Sequence, residues 1–214
     1  MGLYSEYLFP PLADWMVRSM GGARAKLLAD LSGEVLEIGC GGGLSFEFYP
    51  PAVERLYALE PSPAMRHRAG RRWEALRSGQ PGKGPQSMDL IEASAEQIPF
   101  PESRFDAAVS FLTLCTVNRP RAVLREIHRV LKPGGRLFFF EHILHPDPGF
   151  LRSYQIVLNP FWRLFSCGCN LQRPTADWME AEGFRFERIE HLDSPKVPRL
   201  VSHIIRGAAL KTGG

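Results

Sequence analysis

The chain has no long apolar run. Nothing in it approaches the roughly 20 consecutive apolar residues that a membrane-spanning helix requires, so no transmembrane segment is expected. Its first twenty residues lack the basic start and apolar middle of a secretory signal, because Glu6, Asp14 and an early Pro10-Pro11 interrupt them. Cysteine is sparse: Cys40, Cys115, Cys167 and Cys169 are too few and too scattered for a secreted disulfide framework, and reduced thiols are expected. An excess of charge is also missing. Lys and Arg total 26 against 23 Asp and Glu, a formal net charge of +3, too small to imply a nucleic-acid or anionic-membrane partner, so charge leaves the partner open. A soluble, cytoplasmic protein is the expectation that remains, with no signal for a particular oligomeric state.

What is present fits one globular domain with an ordinary core: 214 residues, 44% hydrophobic and 23% charged. Apolar residues recur at helical spacing in Tyr4 to Met20 and Ala23 to Leu31, so residues 1–32 read as N-terminal helices. Short apolar runs of strand length follow at Val35 to Ile38, Leu56 to Leu59, Asp89 to Glu92, Phe105 to Phe111, Arg136 to Phe140, Phe184 to Leu192 and Ser202 to Leu210. Helical stretches at Pro63 to Arg77 and Pro120 to Leu131 lie between them, and this alternation predicts a doubly wound α/β architecture with a mostly parallel sheet. The segment Gly79 to Pro85 reads as a surface loop. Residues 33–145 are the expected cofactor-binding core, residues 146–172 an inserted helical cap, and residues 173–214 a C-terminal helix and strands.

The strongest local signal is Val35-Leu36-Glu37-Ile38-Gly39-Cys40-Gly41-Gly42-Gly43, a strand entering a glycine turn with a helix expected after it. A nicotinamide dinucleotide fits poorly: Leu44 stands at the third glycine position, and the Glu37 carboxylate would face a pyrophosphate. S-adenosyl-L-methionine avoids that repulsion. Its ammonium can pair with Glu37, and Glu60, at the end of the next strand, can accept hydrogen bonds from both ribose hydroxyls. Gly39, Cys40, Gly41 and Gly43 would form the bend, with Pro61 beside Glu60 and Met65 packed on the adenine.

These residues resemble the class I methyltransferases, and the resemblance continues through Ala93-Ser94-Ala95-Glu96, Ile98-Pro99-Phe100, Phe105-Asp106 and the turn Leu131-Lys132-Pro133-Gly134-Gly135-Arg136. It implies a Rossmann-like seven-stranded sheet whose last strand is antiparallel, Ser94, Ala95 and Glu96 at the adenine edge, and Phe111 and Leu112 near the methionine portion. Many family members carry Asp where this chain has Ser94. A closer resemblance is to the ubiquinone/menaquinone C-methyltransferase-like group. Closer still are the animal alkyl thiol methyltransferases, matched at Phe46 to Pro51, Leu114-Cys115-Thr116-Val117, Phe140-Glu141-His142 and Cys167-Gly168-Cys169-Asn170-Leu171. The apolar anchoring segment with which those animal proteins begin has no counterpart at this chain's start, so their membrane location is not expected of it.

At the acceptor end, His142 is the candidate to assist ionisation of a protonated acceptor such as a thiol. Tyr154, Phe161, Trp162 and Phe165 are expected to line an apolar acceptor pocket under the cap. No metal is expected: Glu141, His142 and His145 have no second ligand pair at a recognisable spacing, and two cysteines make no zinc site alone. Cys167-Gly168-Cys169 also lacks the two-residue spacer of a thioredoxin-like pair. Asn159-Pro160-Phe161-Trp162 lacks the second proline of the amino-methylating motif of nucleic-acid enzymes and follows the wrong strand. Arg66, Arg68, Arg71 and Arg72 share their helix with Glu74 and read as a solvated face. The expectation is methyl transfer to a small, apolar acceptor, possibly a thiol. The alternatives are a quinone-type carbon methyltransferase and a non-catalytic module that binds S-adenosylmethionine.

Overall fold

The computed structural model describes residues 11, 14, 17–146, 148–193 and 201–213. The helix expected from Tyr4 to Met20 lies largely outside these residues; within it, residues 11, 14, 17 and 18 are helical. The described chain then runs α1 (Gly21–Leu28), β1 (Gly33–Ile38), a 3-10 turn (Phe46–Phe48), β2 (Val53–Leu59), α2 (Pro63–Gly79), β3 (Ser87–Ile91), β4 (Phe105–Phe111) and α3 (Pro120–Val130). It continues through β5 (Leu131–His142), α4 (Phe150–Phe165), α5 (Thr175–Ala181), β6 (Phe184–Asp193) and β7 (His203–Lys211).

Seven strands form one sheet in the order β3-β2-β1-β4-β5-β7-β6. Strands β1 to β5 pair in parallel, and β7 runs antiparallel between β5 and β6. Because side chains alternate along a strand, β1 sends Leu36 and Ile38 to one face and Val35 to the other. The first face is covered by α3 and α5 through Val123, Leu124, Ile127 and Met179. The second is covered by α1 and α2 through Leu27, Leu28, Ala69 and Leu76. Glu37, in register with Val35, therefore points toward the α1 and α2 side, where it is buried.

Three local expectations are corrected. No α-helix follows the glycine bend: the chain makes only the 3-10 turn before Pro50-Pro51, where successive prolines remove amide donors and push the preceding residue out of helical geometry. The expected turn at Leu131 to Arg136 is an irregularity inside β5, in which Phe105 pairs with Leu131 and Ala107 with Arg136, with Gly134 at φ +74° taking up the extra residues. Three of the four arginines of α2 are structural partners more than a solvated face, while Arg71 is exposed as expected. Arg68 and Arg72 bind the buried Asp14 carboxylate at 2.8 and 3.3 Å, and Arg66 donates to Glu60 O, Pro61 O and Glu92.

One glycine is required by close approach. Gly207 of β7 pairs with Phe139 and Ile189, and a Cβ there would lie 2.0 Å from the Arg188 carbonyl oxygen and 2.9 Å from the Phe139 ring. We predict that Gly207→Ala lowers the stability to urea unfolding by roughly 1–3 kcal/mol through overpacking. Gly22→Ala, in α1 with nothing within 4 Å of the added methyl, leaves stability unchanged or slightly raised.

Candidate active site

The carboxyl ends of β1, β2, β4 and β5 meet at one edge of the sheet, and a buried carboxylate stands at three of them. Glu37 is the penultimate residue of β1. The bend that follows uses positive φ at Gly39 (+60°), Gly41 (+56°) and Gly43 (+76°), conformations that L side chains rarely adopt. A Cβ on Gly39 would also meet the Thr113 side chain at 2.6 Å. The bend is held from above: Asp14 lies against Gly42, and Arg72 donates to the Gly42 carbonyl.

Glu37 is 2% exposed, and its Oε2 has no hydrogen-bond partner among the described residues. Burial pushes its pKa up to about 7, partly offset by the Ser45 and Tyr49 hydroxyls and by the Arg24 guanidinium. Arg24 is itself buried, lies 4.1 Å over the Phe111 ring and donates to Val17 O, and burial lowers its pKa to about 10. A buried carboxylate oxygen without a donor carries a desolvation cost that a cationic ligand group would relieve.

Glu60 directly follows β2. Its Oε2 accepts from the Gly41 amide at 3.0 Å and its Oε1 from the Ser62 amide at 2.9 Å, so the acid and the glycine bend are held as one unit. Burial raises its pKa, and those two amides offset part of the rise. Next to it Pro61 is exposed and Ser62 caps α2, its hydroxyl accepting from Met65 N at 3.4 Å; Met65 is half-buried. Cys40 is buried in the bend with its thiol pKa raised by burial, which leaves it unreactive.

Past β3, Ser94 is exposed and accepts from the Glu96 amide, while Ala95 is buried. The Glu96 carboxylate is taken by Arg119, whose backbone N–H and Nε donate to it at 2.9 and 3.1 Å. The Glu96 carboxylate is thereby turned to the start of α3. Phe111 closes β4, stacked on Phe140 with centroids 4.5 Å apart, and Leu112 follows at φ +55°.

Glu141 holds the loop after β4. Its Oε1 accepts from Ser110 Oγ, Thr113 N and Leu114 N at 2.7 to 3.0 Å, and its Oε2 from Cys115 N at 3.2 Å, so this fully buried acid is saturated by donors. Thr113 Oγ1 donates to Ile38 O at 3.1 Å and so joins that loop to the glycine bend. Two residues on, Cys115 faces the end of β5 and the cap: its Sγ is 3.9 Å from Cys169 Sγ, and His142 Nε2 is 2.7 Å from the same Cys169 sulfur. Burial alone would lower the His142 pKa, but the Cys169 sulfur turns the net shift upward. The Cys169 thiol is held well below its ordinary value by contact with Cys115, by His142 and by the Trp162 indole. Arg173 donates to Leu114 O and Val117 O, and Asn170 N donates to Cys115 O at 2.8 Å.

The structure thus brings Glu37, Gly39, Cys40, Gly41, Gly43 and Glu60 together, and places His142 at the end of β5. It does not gather the four cap aromatics. Tyr154, Phe161 and Phe165 are exposed by 47%, 64% and 65% on the outer side of α4, and only Trp162 turns toward Cys169. The reason is that α4 buries polar residues instead: Gln155 accepts from His145 N, and Asn159 accepts from Leu171 N. Glu141, His142 and His145 also diverge, His145 lying against the His203 ring. The sequence reading left Cys115, Cys169, Arg24 and Tyr49 without roles. Three of them, Cys115, Cys169 and Tyr49, sit in the blocks that carried the closer resemblance, and spacing alone could not bring them together.

A family model described as a methyltransferase domain matches residues 36–139. The chain is 33% identical over 196 residues to thiol S-methyltransferase TMT1B of Rattus norvegicus, covering 87% of this chain and 77% of the relative. It is 31% identical over 137 residues to demethylmenaquinone methyltransferase of Clavibacter sepedonicus, covering 64% and 52%. Among solved structures, a Thermotoga maritima methyltransferase described as a possible histamine N-methyltransferase superposes with TM-score 0.67 at 20% identity, covering 98% of each chain. Kinship at this level across most of the rat enzyme, on a sheet of this strand order, establishes the family: the protein belongs to the S-adenosylmethionine-dependent methyltransferases, as a homologue of the animal thiol S-methyltransferases.

Proposed function

We propose that the protein methylates a small, apolar thiol, with Glu37 and Glu60 binding the cofactor and the His142 cluster receiving the acceptor sulfur. The observation that carries this reading is the group of buried Cys115 and His142 with half-buried Cys169, tied through Thr113 to the glycine bend. The rat relative, whose name gives a thiol as its acceptor, supports it. S-adenosylmethionine supplies an electrophilic methyl on a sulfonium: the acceptor S–H loses its proton, the sulfur pair bonds the methyl carbon, and the cleaved C–S pair stays on S-adenosylhomocysteine.

Each group of the chain has a task in this reading. Glu37 offers its buried Oε2, unpartnered among the described residues, to the ammonium, Glu60 accepts from the ribose hydroxyls, and Gly39, Gly41 and Gly43 let the backbone approach the ligand. Phe111 and Leu112 adjoin the methionine portion; Pro61, Met65, Ser94, Ala95 and the Glu96 backbone adjoin the nucleoside. His142 supplies positive charge that favours the acceptor thiolate, and Trp162 walls the acceptor. The free cysteines fit a reducing, cytoplasmic setting. No nucleic-acid partner is invoked, since Arg66, Arg68 and Arg72 are engaged within the protein.

The buried acid predicts a pH signature. With a folded-state pKa of about 7, above the ordinary carboxylate value, Glu37 favours the folded protein most at low pH, and that contribution is lost as pH rises through 7. S-adenosylmethionine binds the ionised form, so calorimetric affinity rises about tenfold per pH unit up to 7, then falls as the ligand's amine loses its proton near 8. Glu37→Gln flattens the acidic limb and weakens binding; an unchanged profile removes the assignment. Glu60→Ala weakens binding roughly 10- to 100-fold.

For the acceptor, release of S-adenosylhomocysteine is measured with a small alkyl thiol and with an isoprenoid quinol precursor. Turnover of the thiol is expected, and His142→Ala reduces it about 100-fold or more while cofactor affinity holds. Turnover of the quinol alone would assign a carbon methyltransferase instead, and no turnover with either would leave a binding module.

A further inference from the structure

The fold assembles a ligand set that no stretch of sequence displays. Cys115 comes from the loop after β4, His142 from the end of β5 and Cys169 from the cap loop, and one ligand atom from each lies within 4.8 Å of the other two. The Sγ–Sγ distance of 3.9 Å matches the edge of a tetrahedral zinc site, about 3.8 Å for zinc–sulfur bonds of about 2.3 Å. The His142 Nε2 to Cys169 Sγ distance of 2.7 Å would open by about 1 Å to reach the nitrogen–sulfur edge of the same tetrahedron.

We propose that Cys115, His142 and Cys169 bind a zinc ion whose fourth position takes the sulfur of the methyl acceptor. Two thiolates and one imidazole form a borderline-soft set suited to zinc, and three protein ligands with one open position is the arrangement of catalytic zinc, not of closed structural sites. The backbone around the two cysteines is braced, while His142 Nδ1 is buried without a partner among the described residues. Glu141 and the Asn170 amide fix the backbone of Cys115 from two sides, Arg173 anchors Leu114 and Val117, and the Trp162 indole adjoins Cys169. Two thiolates neutralise the ion, and the buried Glu141 carboxylate is offset by Arg173. A thiol entering the open position gives its proton to solvent and binds as thiolate. Its sulfur pair then forms the bond to the methyl carbon as the cofactor's methyl–sulfur bond breaks, that pair staying on S-adenosylhomocysteine, and the neutral thioether, a weak ligand, departs. This replaces the single charge of the imidazolium with that of a divalent cation.

The zinc site rests on the thiol reading for its purpose but not for its detection. Chelator-stripped protein is titrated with Co²⁺ and with Zn²⁺ while absorbance is followed. One ion per chain is expected, with thiolate-to-cobalt charge-transfer absorption that Zn²⁺ bleaches. Cys115→Ser, Cys169→Ser and His142→Ala weaken binding by at least about tenfold, while Cys167→Ser does not. S-adenosylmethionine binding confirms that each variant is folded. Addition of an alkyl thiol shifts the cobalt spectrum. No thiolate–cobalt absorption, or binding indifferent to these variants, overturns the site; retained absorption without a thiol shift overturns acceptor ligation. A Cys115–Cys169 disulfide as the isolated state, persisting after reduction and metal addition, also overturns it. Full thiol turnover by stripped protein rejects the zinc and keeps the thiol acceptor, whereas a zinc-loaded enzyme that methylates no thiol rejects the acceptor and keeps the site.

Discussion

The active end of the sheet depends on carboxylates that are buried at strand ends and answered by donors from neighbouring loops. Glu141 is the fullest case. An uncompensated charge in its fully enclosed position would cost several kcal/mol, yet one hydroxyl and three consecutive amides converge on it. Those amides belong to Thr113, Leu114 and Cys115, so the acid that satisfies them also fixes the conformation of the loop. Through Thr113 the loop reaches the glycine bend, and through Cys115 it reaches His142 and Cys169. The glycine bend and the cysteine–histidine group are therefore both tied to one buried carboxylate.

The three acids are matched unequally. Glu141 is saturated. Glu60 is half-used, with one amide on each oxygen and lone pairs remaining for a diol. Glu37 keeps a buried oxygen without a partner among the described residues, and burial raises its pKa to about 7, the condition on which its proposed pairing with a cation rests. On this gradient rests the proposed placement of a positive amino-acid tail at Glu37 and a ribose at Glu60, where a pyrophosphate would meet repulsion.

Much of this was readable from the chain itself. The strand Phe105 to Phe111 has the bounds its apolar run predicts, and Glu37 and Glu60 fall at the strand ends where their spacing puts them, because parallel strands bury continuous apolar runs and stop at polar turns. What could not be read depends on distance along the chain. Cys115, His142 and Cys169 are separated by 27-residue steps, so each looked like an isolated cysteine or histidine until β4, β5 and the cap loop were placed side by side. The cap misled for a different reason: α4 turns Gln155 and Asn159 inward to satisfy backbone donors, which leaves Tyr154, Phe161 and Phe165 outside, against the rule that aromatics face the core. The glycine bend, too, resembled a helix-opening turn until Pro50-Pro51 ended it after one 3-10 turn.

The central claim is that one loop, pinned by Glu141, sets a cofactor held by Glu37 and Glu60 against an acceptor sulfur held at Cys115, His142 and Cys169. A crystal structure of the protein with S-adenosylhomocysteine and an alkyl thiol tests this directly. The account predicts the ligand's ammonium at Glu37, its ribose at Glu60, and the acceptor sulfur beside the cysteine–histidine group. An acceptor bound away from that group, or a cofactor whose amino-acid end avoids Glu37, would contradict it.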